Sequence, residues 1–295
     1  MKKDKFKFFG FSNDYVFGDV MENKDNILLV LNTILPTLHI KNIKYATTQK
    51  QINSVDYSKD VRLDLQVEDD TGKIYDVEMQ TSKNGYLPQR VRYYQSKIDS
   101  KLTLEKNESY DKLRDSIIIF ICTFDPFGYG DLKYERQIYL KGHLNDEDRI
   151  IDGSDVFFIN ATANTNNASS MMKDLIKLVN NKQVDKNSKY YSMQERIEEI
   201  NADPERRAKI MSLEEKIMDR EVTARLEGKK EGRAEGKAEG RAEGKTESKI
   251  EDVSSLIKRL KKLNIDSKTI TSSVHEDYDS ELPLSTINRI LEKEL

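Results

Sequence analysis

The chain has 295 residues, of which 34 % are charged and 37 % are hydrophobic, with 49 Lys and Arg against 52 Asp and Glu. A hydrophobic share below the usual about 45–50 % argues against one compact core over the full length, and the balanced charge excludes a strongly basic coat protein for nucleic acid. The single cysteine, Cys122, excludes a disulfide framework, and no apolar run reaches the roughly 18–20 residues of a membrane span. We therefore expect a cytoplasmic protein with no membrane partner.

Apolar residues are concentrated in the N-terminal part of the chain. Eight of the ten phenylalanines precede Gly130, and the other two are Phe157 and Phe158. The composition therefore predicts four segments, which are a packed domain at 1–182, a charged helical connector at 183–226, a Glu-Gly-Lys/Arg tetrapeptide repeat at 227–246 and a small helical module at 247–295.

Hydrophobic periodicity predicts the elements of the packed domain. Residues 12–35 have helical spacing, with Ser12 or Asn13 as the N-cap and Pro36 as the stop. Residues 116–124 form a continuous apolar run, which is typical of a central strand covered on both faces. The other predicted elements are strands at 39–49, 61–68, 73–81, 133–140 and 155–160, and helices at 88–106 and 169–181. This order predicts an α/β domain with a mixed sheet flanked by helices.

The segment 61–81 is predicted to be a β-hairpin. Apolar and polar residues alternate in both strands, which assigns Leu63, Leu65 and Val67 to one face. The residues Asp70-Thr71-Gly72 suit a three-residue loop with Gly72 in the left-handed conformation. The loop length fixes the register of the two strands.

With this loop, Asp64 lies directly opposite Glu78. Their Cβ atoms would be about 4.5–5.5 Å apart, and two carboxylates so close repel each other unless a cation lies between them. Oxygen ligands of this kind suit Mg²⁺. A two-residue loop would instead place Asp64 opposite Val77, and half-exposed strands often carry acidic residues on their solvent side. A metal site and an ordinary solvated face both remain open from spacing alone.

Several motifs, taken together, resemble a known family. They are Asp64, the Glu78-Met79-Gln80 triplet, LPQRVRYYQ at 87–95, NDYVF at 13–17, IFICTFDPFG at 119–128 and the charged glycine repeat. In this order they resemble the Rpn family of recombination-promoting nucleases and transposases, within the PD-(D/E)XK nuclease superfamily. The resemblance covers residues 8–182 and the repeat loosely. It implies a restriction-endonuclease-like fold followed by a helical, repeat-containing C-terminal tail.

The resemblance also implies a metal site. Asp64 and Glu78 would bind Mg²⁺, with the backbone carbonyl of Met79 as a third ligand, and Mn²⁺ or Ca²⁺ would substitute for Mg²⁺ in binding. Asp14, in the first predicted helix, is a further acid that would lie near the metal. An aspartate in the first turn of a helix is also explained by the helix dipole alone.

Gln80 stands where the superfamily motif has lysine. A glutamine supplies a neutral amide, so another cation has to compensate for the lost charge. Arg90, Arg92 and Lys97 on the following helix are the candidates for binding a DNA phosphate, because a guanidinium fork suits phosphate oxygens. An exposed helix face would explain the same three residues.

The implied activity is metal-dependent hydrolysis of DNA phosphodiester bonds by an endonuclease associated with recombination or transposition. Asp64, Glu78 and Gln80 would form its catalytic motif. The alternative is a nuclease fold that has lost catalysis and acts as a DNA- or protein-binding module.

The tetrapeptide repeat places glycine at every fourth residue from 228 to 244. In a helix, its i,i+4 neighbours are like-charged and each glycine costs roughly 1 kcal/mol, so a lone helix is disfavoured. Glutamates and basic residues would lie about 160° apart, so two copies could match acidic and basic stripes. We therefore expect 225–246 to be the least ordered part of the monomer, acting as a solvated linker or as a homo-oligomerisation helix.

Overall fold

The computed structural model describes residues 7–52, 61–83, 86–100 and 107–295. It forms two compact units, one ending at Met211 and one running from Ser212 to Leu295. The helices and strands, in chain order, are α1 (Asp14–Val20), α2 (Lys24–Ile34), β1 (Ile43–Ile52), β2 (Val61–Asp69), β3 (Ile74–Gln80), α3 (Leu87–Ile98), β4 (Ser116–Cys122), β5 (Lys133–Arg136), β6 (Ser154–Asn160), α4 (Ser170–Val179), α5 (Tyr191–Ala202), α6 (Pro204–Lys262), α7 (Ser267–Tyr278) and α8 (Leu284–Glu294).

A six-stranded mixed sheet with the order β1-β2-β3-β4-β6-β5 forms the centre of the first unit. Strands β1, β2 and β3 pair antiparallel, β3, β4 and β6 pair parallel, and β5 runs antiparallel to β6. The predicted α/β class with a mixed sheet is therefore confirmed. The predicted hairpin register is also confirmed, with Leu65 opposite Val77 and Gln66 opposite Asp76.

The sheet separates two apolar clusters. The larger cluster includes Val77 and Ile119 from the sheet and residues of α1, α2, α4 and α5, such as Leu175. The smaller cluster packs α3 onto the other face, where Val91 meets residues such as Phe120. Because helices cover both faces, all seven residues of β3 and all seven of β4 are buried. The polar residues of β3 thus lie beneath α3.

The predicted helix at 12–35 is divided into two helices. The Asn13 side chain accepts hydrogen bonds from the backbone of Tyr15 and Val16 and caps α1. A second cap follows, in which Asn23 has an extended backbone and accepts from the backbone N–H of Asp25 at 2.8 Å. An N-cap residue requires a non-helical backbone, so Asn23 ends the continuity of the helix.

Two other predicted elements are shorter than expected. Strand β5 ends at Arg136 rather than at 140, because its pairing with β6 ends where Arg136 lies opposite Val156. Helix α3 ends at Ile98, and residues 101–106 of the predicted helix lie outside the described residues.

Leu63 does not share a face with Leu65 and Val67. Leu63 packs in the smaller cluster beneath α3, whereas Leu65 and Val67 enter the larger cluster. The change of face occurs at Asp64, whose backbone N–H donates to the side chain of Glu78 at 2.9 Å. At Asp64, a side-chain oxygen of Glu78 accepts the hydrogen bond that a backbone carbonyl of the neighbouring strand would otherwise accept. The regular alternation of β2 therefore ends at this residue.

The first unit continues beyond the predicted boundary at 182. Residues of α5 and its flanks, including Tyr190, Met193, Ile197 and Ile200, are buried in the larger cluster. Asn201 also fixes the N-terminal segment, because its side chain accepts from the Phe9 N–H and donates to the Phe9 carbonyl, both at 2.8 Å. Four well-spaced apolar residues are enough to bury a helix that is otherwise charged.

The repeat is part of one continuous helix, so the expectation that 225–246 is the least ordered segment is wrong. Helix α6 has 59 residues and includes all five repeat glycines. The unfavourable helix propensity of the five glycines is offset by the neighbouring Ala, Glu, Lys and Arg residues, which are strong helix formers. Helical residues precede and follow the repeat, and extending an existing helix avoids the cost of a new nucleus.

The C-terminal part of the second unit, in the range of the predicted helical module, consists of the end of α6 followed by α7 and α8. The end of α6, α7 and α8 share an apolar cluster that includes Val253, Ile257, Val274 and Ile287. Asp266 caps α7 by accepting from the Thr269 N–H at 3.1 Å. Across the described residues, no helix combines the length and the apolar character needed to cross a bilayer.

Candidate active site

The candidate site lies at the carboxyl end of β3, between the sheet and α3. Val77 and Met79 enter the larger cluster, so the alternating Glu78 and Gln80 point to the face that α3 covers. The Glu78 side chain is fully buried and Gln80 is 6 % exposed. The sequence pattern therefore places two polar side chains inside the protein, where each needs a partner.

Asp64 and Glu78 hold the end of the hairpin by crossed hydrogen bonds. The Oε1 atom of Glu78 accepts from the Asp64 backbone N–H at 2.9 Å, and the Oδ2 atom of Asp64 accepts from the Met79 N–H at 3.0 Å. Each carboxylate is thus anchored to the backbone of the neighbouring strand. The structure brings together the two acids that the register predicts as neighbours.

Arg90 of α3 completes this cluster. Its Nη1 donates to Oε1 of Gln80 at 2.8 Å, and its Nη2 donates to Oε2 of Glu78 at 3.0 Å and to the Tyr94 hydroxyl at 2.7 Å. The guanidinium also lies 4.9 Å from the centre of the Tyr94 ring. Gln80 turns its amide nitrogen to the Met79 carbonyl at 3.1 Å. A positive charge from α3 therefore lies against Gln80, beneath the helix.

Burial opposes ionisation of both acids. It raises the pKa of Glu78 to about 8, with repulsion from Asp64 adding to the effect and Arg90 opposing it. Burial raises the pKa of Asp64 to about 6, with repulsion from Asp14 adding to it and the Met79 N–H opposing it. One arginine does not balance this cluster of carboxylates, which favours the approach of a further cation or a proton.

Asp76 is a buried acid that the sequence analysis did not select. It lies two residues before Glu78 on the same strand, it has no exposed surface, and no N–H or hydroxyl group among the described residues donates to its carboxyl oxygens. Burial and the nearby Glu78 raise its pKa well above the usual range. Gln66 lies opposite, and its buried Oε1 atom likewise has no partner in the described part of the chain. The sequence signal that could have identified Asp76 is that it shares a strand face with Glu78 and Gln80.

Asp14 lies close enough to the site to raise the pKa values of both Asp64 and Glu78. It forms a 3.5 Å ion pair with Arg62, and both side chains are about half exposed. Helix α1 therefore brings an accessible acid to the rim of the buried pair.

The other two predicted phosphate contacts are placed differently from Arg90. Arg92 is exposed and lies about 200° around α3 from Arg90, on the opposite side of the helix. Lys97 lies about two turns beyond Arg90 on nearly the same side, with its Nζ 5.3 Å from the centre of the Tyr93 ring. The structure thus brings only Arg90 of these three into contact with Glu78 and Gln80, and the roles of Arg92 and Lys97 stay predictions.

The donor set fits a hard divalent cation. The carboxylates of Asp64 and Glu78 and the carbonyl of Met79 are oxygen ligands at one end of the hairpin, and a cation there would offset the repulsion that raises the pKa values of both acids. Within the described ranges, no three His, Cys, Asp or Glu side chains cluster with metal-binding spacing. A site built on these residues therefore depends on the Met79 carbonyl, on water or on substrate oxygens.

A comparison with protein-family models agrees with this geometry. Residues 9–227 match the model of the PD-(D/E)XK nuclease family transposases. The chain belongs to this family. Searches of curated proteins and of solved structures found no match. The match includes Asp64, the Glu78-Met79-Gln80 triplet and Arg90, and it extends past 182 in agreement with the larger first unit. Membership in this nuclease family supports a nuclease or transposase-associated role.

The raised pKa values of Asp64 and Glu78 predict a specific pH dependence of stability. Glu78 has a pKa of about 8 in the folded state, above the about 4.3 of an unfolded carboxyl group. The folded state therefore retains a proton that the unfolded state loses as the pH rises. The stabilisation that results is fully present below about pH 4.3 and is lost as the pH rises through about 8.

In EDTA, we expect the difference in unfolding free energy, wild type minus Glu78→Gln, to decrease as the pH rises from about 4.5 to about 8. The slope is at most about 1.4 kcal/mol per pH unit. Urea unfolding at several pH values measures this difference. Glu147→Gln, at an exposed glutamate, is the matched control and should show no such slope. A Glu78 difference that is flat or rises with pH would contradict the assignment.

Proposed function

We propose that the protein is a divalent-metal-dependent DNA endonuclease that acts in recombination or transposition. The single observation that supports this best is the cluster of Asp64, Glu78, Gln80 and Arg90. Its two acids come from adjacent strands, and its cation comes from the helix that follows the motif. The cluster contains the residues that resemble the PD-(D/E)XK motif, in a chain that belongs to this nuclease family.

Asp64, Glu78 and the Met79 carbonyl would hold the metal ion, with Mg²⁺ as the proposed cofactor and Mn²⁺ or Ca²⁺ able to replace it in binding. When bound, such an ion lowers the pKa of a water ligand and offsets negative charge on the phosphate. The crossed hydrogen bonds fix the orientation of the two carboxylates before any ligand arrives. Asp14 adds negative charge at the rim of this site.

Arg90 would supply the positive charge that lysine supplies in the superfamily motif. Gln80 accepts a hydrogen bond from Arg90 and donates one to the Met79 carbonyl, so it connects the guanidinium to the proposed metal ligand. A planar guanidinium offers two parallel donors to phosphate oxygens, which a compact ammonium group does not. In this proposal, Gln80 positions Arg90 and Arg90 contacts the phosphate.

Removing either proposed metal ligand should abolish cleavage. We expect Asp64→Asn and Glu78→Gln to lower the rate of plasmid nicking in Mg²⁺ by at least about 100-fold, because each substitution removes a charged oxygen ligand. Nicking, metal affinity by calorimetry and thermal stability should be measured together.

Glu147→Gln is the control variant and should cleave at the wild-type rate, while EDTA should abolish nicking by both proteins. A wild type that binds DNA and metal but does not cleave would support the alternative of a binding module. Full activity in both Asp64→Asn and Glu78→Gln would place the active site elsewhere.

The arginine role gives a second test. We expect Arg90→Gln to lower cleavage about 10²–10³-fold, the usual loss for one removed donor in a preorganised site. Arg90→Lys keeps the charge but loses the fork, so its rate should lie between those of the wild type and Arg90→Gln. Arg289→Gln, at an exposed arginine of α8, is the matched control and should cleave at the wild-type rate. A loss in this control equal to that of Arg90→Gln, with both proteins folded, would contradict the role of Arg90.

We also propose that the repeat associates with a second copy of the chain. A methyl group added at any of the five repeat glycines would have no neighbouring atom within 4 Å, so nothing else in the described chain packs on this face of α6. The helix lacks favourable i,i+4 pairs of its own, whereas two copies could match acidic stripes to basic ones. Pairing of this kind is electrostatic and sensitive to salt.

Sedimentation should show a larger mass for the full chain at 0.1 M salt than at 1 M, where the Debye length falls from about 10 Å to about 3 Å. A chain that ends at Met211 should be monomeric in both. The full chain with its repeat glutamates changed to lysine should be monomeric alone. It should associate again when mixed with a chain whose repeat Lys and Arg are changed to Glu. Equal masses for the full and shortened chains at both salt concentrations would show that the repeat does not self-associate.

A further inference from the structure

A basic cleft lies on the first unit away from the candidate active site. It has a volume of about 460 Å³ and opens between the segment after β6 and the helix α4. The side chains that give it a polar character are Thr162, Thr165, Lys173, Lys177, Asn180 and Lys182. The described lining residues include three lysines and no acidic side chain. We call this feature the α4 cleft.

Two of the three lysines lack an acidic counter-ion. Lys177 is paired with Asp174 at 2.8 Å, so its charge is offset. The Lys173 ammonium instead donates to the neutral backbone carbonyl of Asn166 at 2.9 Å, and Lys182 is exposed. In the described part of the chain, no acidic side chain pairs with Lys173 or Lys182. The α4 cleft therefore carries a net positive charge.

Hydrogen bonds fix the walls of the α4 cleft. Oδ1 of Asn160, the last residue of β6, accepts from the Thr162 N–H at 2.9 Å and from its hydroxyl at 2.6 Å. Asn180, the C-cap residue of α4, donates from its amide to the Ala161 carbonyl at 2.7 Å. The first turn of chain after β6 is thus tied to both the strand and the helix. Lysines on such a scaffold can meet an anion at low entropic cost.

The parallel strands place the α4 cleft at the same edge of the sheet as the candidate active site. Gln80 pairs with Cys122, and Cys122 pairs with Asn160, so β3, β4 and β6 end side by side. Adjacent strands are about 4.8 Å apart, so Asn160 lies about 10 Å from Gln80 along this edge. Helix α4 packs in the larger cluster, on the face opposite α3.

We propose that the α4 cleft binds a backbone phosphate of the same DNA whose scissile phosphate lies at Arg90. This inference rests on the proposed nuclease function. The α4 cleft and the candidate active site both lie at the edge where β3, β4 and β6 end, so one duplex that crosses this edge can contact both. Lys173 and Lys182 make the charged contacts, and Thr165 provides a hydroxyl donor. The cleft contributes affinity and register and carries no base-specific information.

The test measures DNA binding by the full-length protein in EDTA, where the proposed metal-dependent cleavage does not occur. A fluorescent duplex is titrated with wild type, with the double variant Lys173→Gln/Lys182→Gln and with the control Lys186→Gln/Lys189→Gln, at several salt concentrations. The control lysines are exposed and lie outside the α4 cleft. The single variant Lys182→Gln, at an exposed side chain, is included in case the double variant folds poorly.

We expect the double variant to bind DNA about tenfold more weakly, and the slope of log affinity against log salt to become shallower by about 1 for each lysine removed. Lys182→Gln should show about half of this change in slope, and the control should match the wild type. Equal losses in cleft and control variants, or an unchanged salt slope in both cleft variants, would overturn the proposal.

Two further outcomes separate this inference from the proposed function. A wild type that binds DNA with the expected lysine dependence but never cleaves in Mg²⁺ would retain the α4 cleft and reject the endonuclease. A wild type that cleaves, together with cleft variants that bind DNA normally, would retain the endonuclease and reject the α4 cleft as a DNA-binding site. Inorganic phosphate is titrated in parallel, and lysine-dependent phosphate binding without a change in DNA affinity would identify a small-anion site and overturn the proposal.

Discussion

The buried carboxylate of Glu78 is the constraint on which the rest of the first unit depends. An isolated charge in a protein interior is expensive, so its oxygens need donors from fixed directions. The Asp64 N–H meets one oxygen from β2, and Arg90 meets the other from α3. This arrangement requires the observed hairpin register and requires α3 to cover β3. The same contacts of Glu78 therefore fix both the position of the site and the arrangement of β2, β3 and α3.

In the proposed site, the same interaction explains how a glutamine can stand where the superfamily motif has a lysine. A lysine would bring its own charge on the strand, where it would lie beside Glu78. Here the charge comes from Arg90 on α3, and the Gln80 amide holds it in place through one acceptor and one donor. The balance of charge at the site is thus shared between a strand and a helix. The cluster still contains more acidic than basic side chains, since Asp76 is buried beside it and no described N–H or hydroxyl group donates to its carboxyl oxygens.

The second unit follows a different physical rule. The first unit is stabilised by burial on both faces of a sheet, whereas most of α6 is exposed and contains five glycines. Good helix formers around the glycines and the small apolar cluster at the end of α6 support its continuity. Over the repeat, every described residue of the helix is exposed. Its regular stripes of charge are the feature that gives it a specific surface.

The sequence by itself determined the local and repeating features. Alternation and the Asp70-Thr71-Gly72 loop predicted the hairpin and its register, and the apolar run predicted β4, because strand pairing and burial follow from residue spacing. The motifs also identified Asp64, Glu78 and Gln80. The tertiary structure decided which helix residue meets them, since Arg90 and Arg92 differ only by their position around α3. It also decided that the first unit ends at Met211 and that Asn160 and Gln80 share one sheet edge. Contacts between distant segments set these features, and a single sequence carries no direct signal of such contacts.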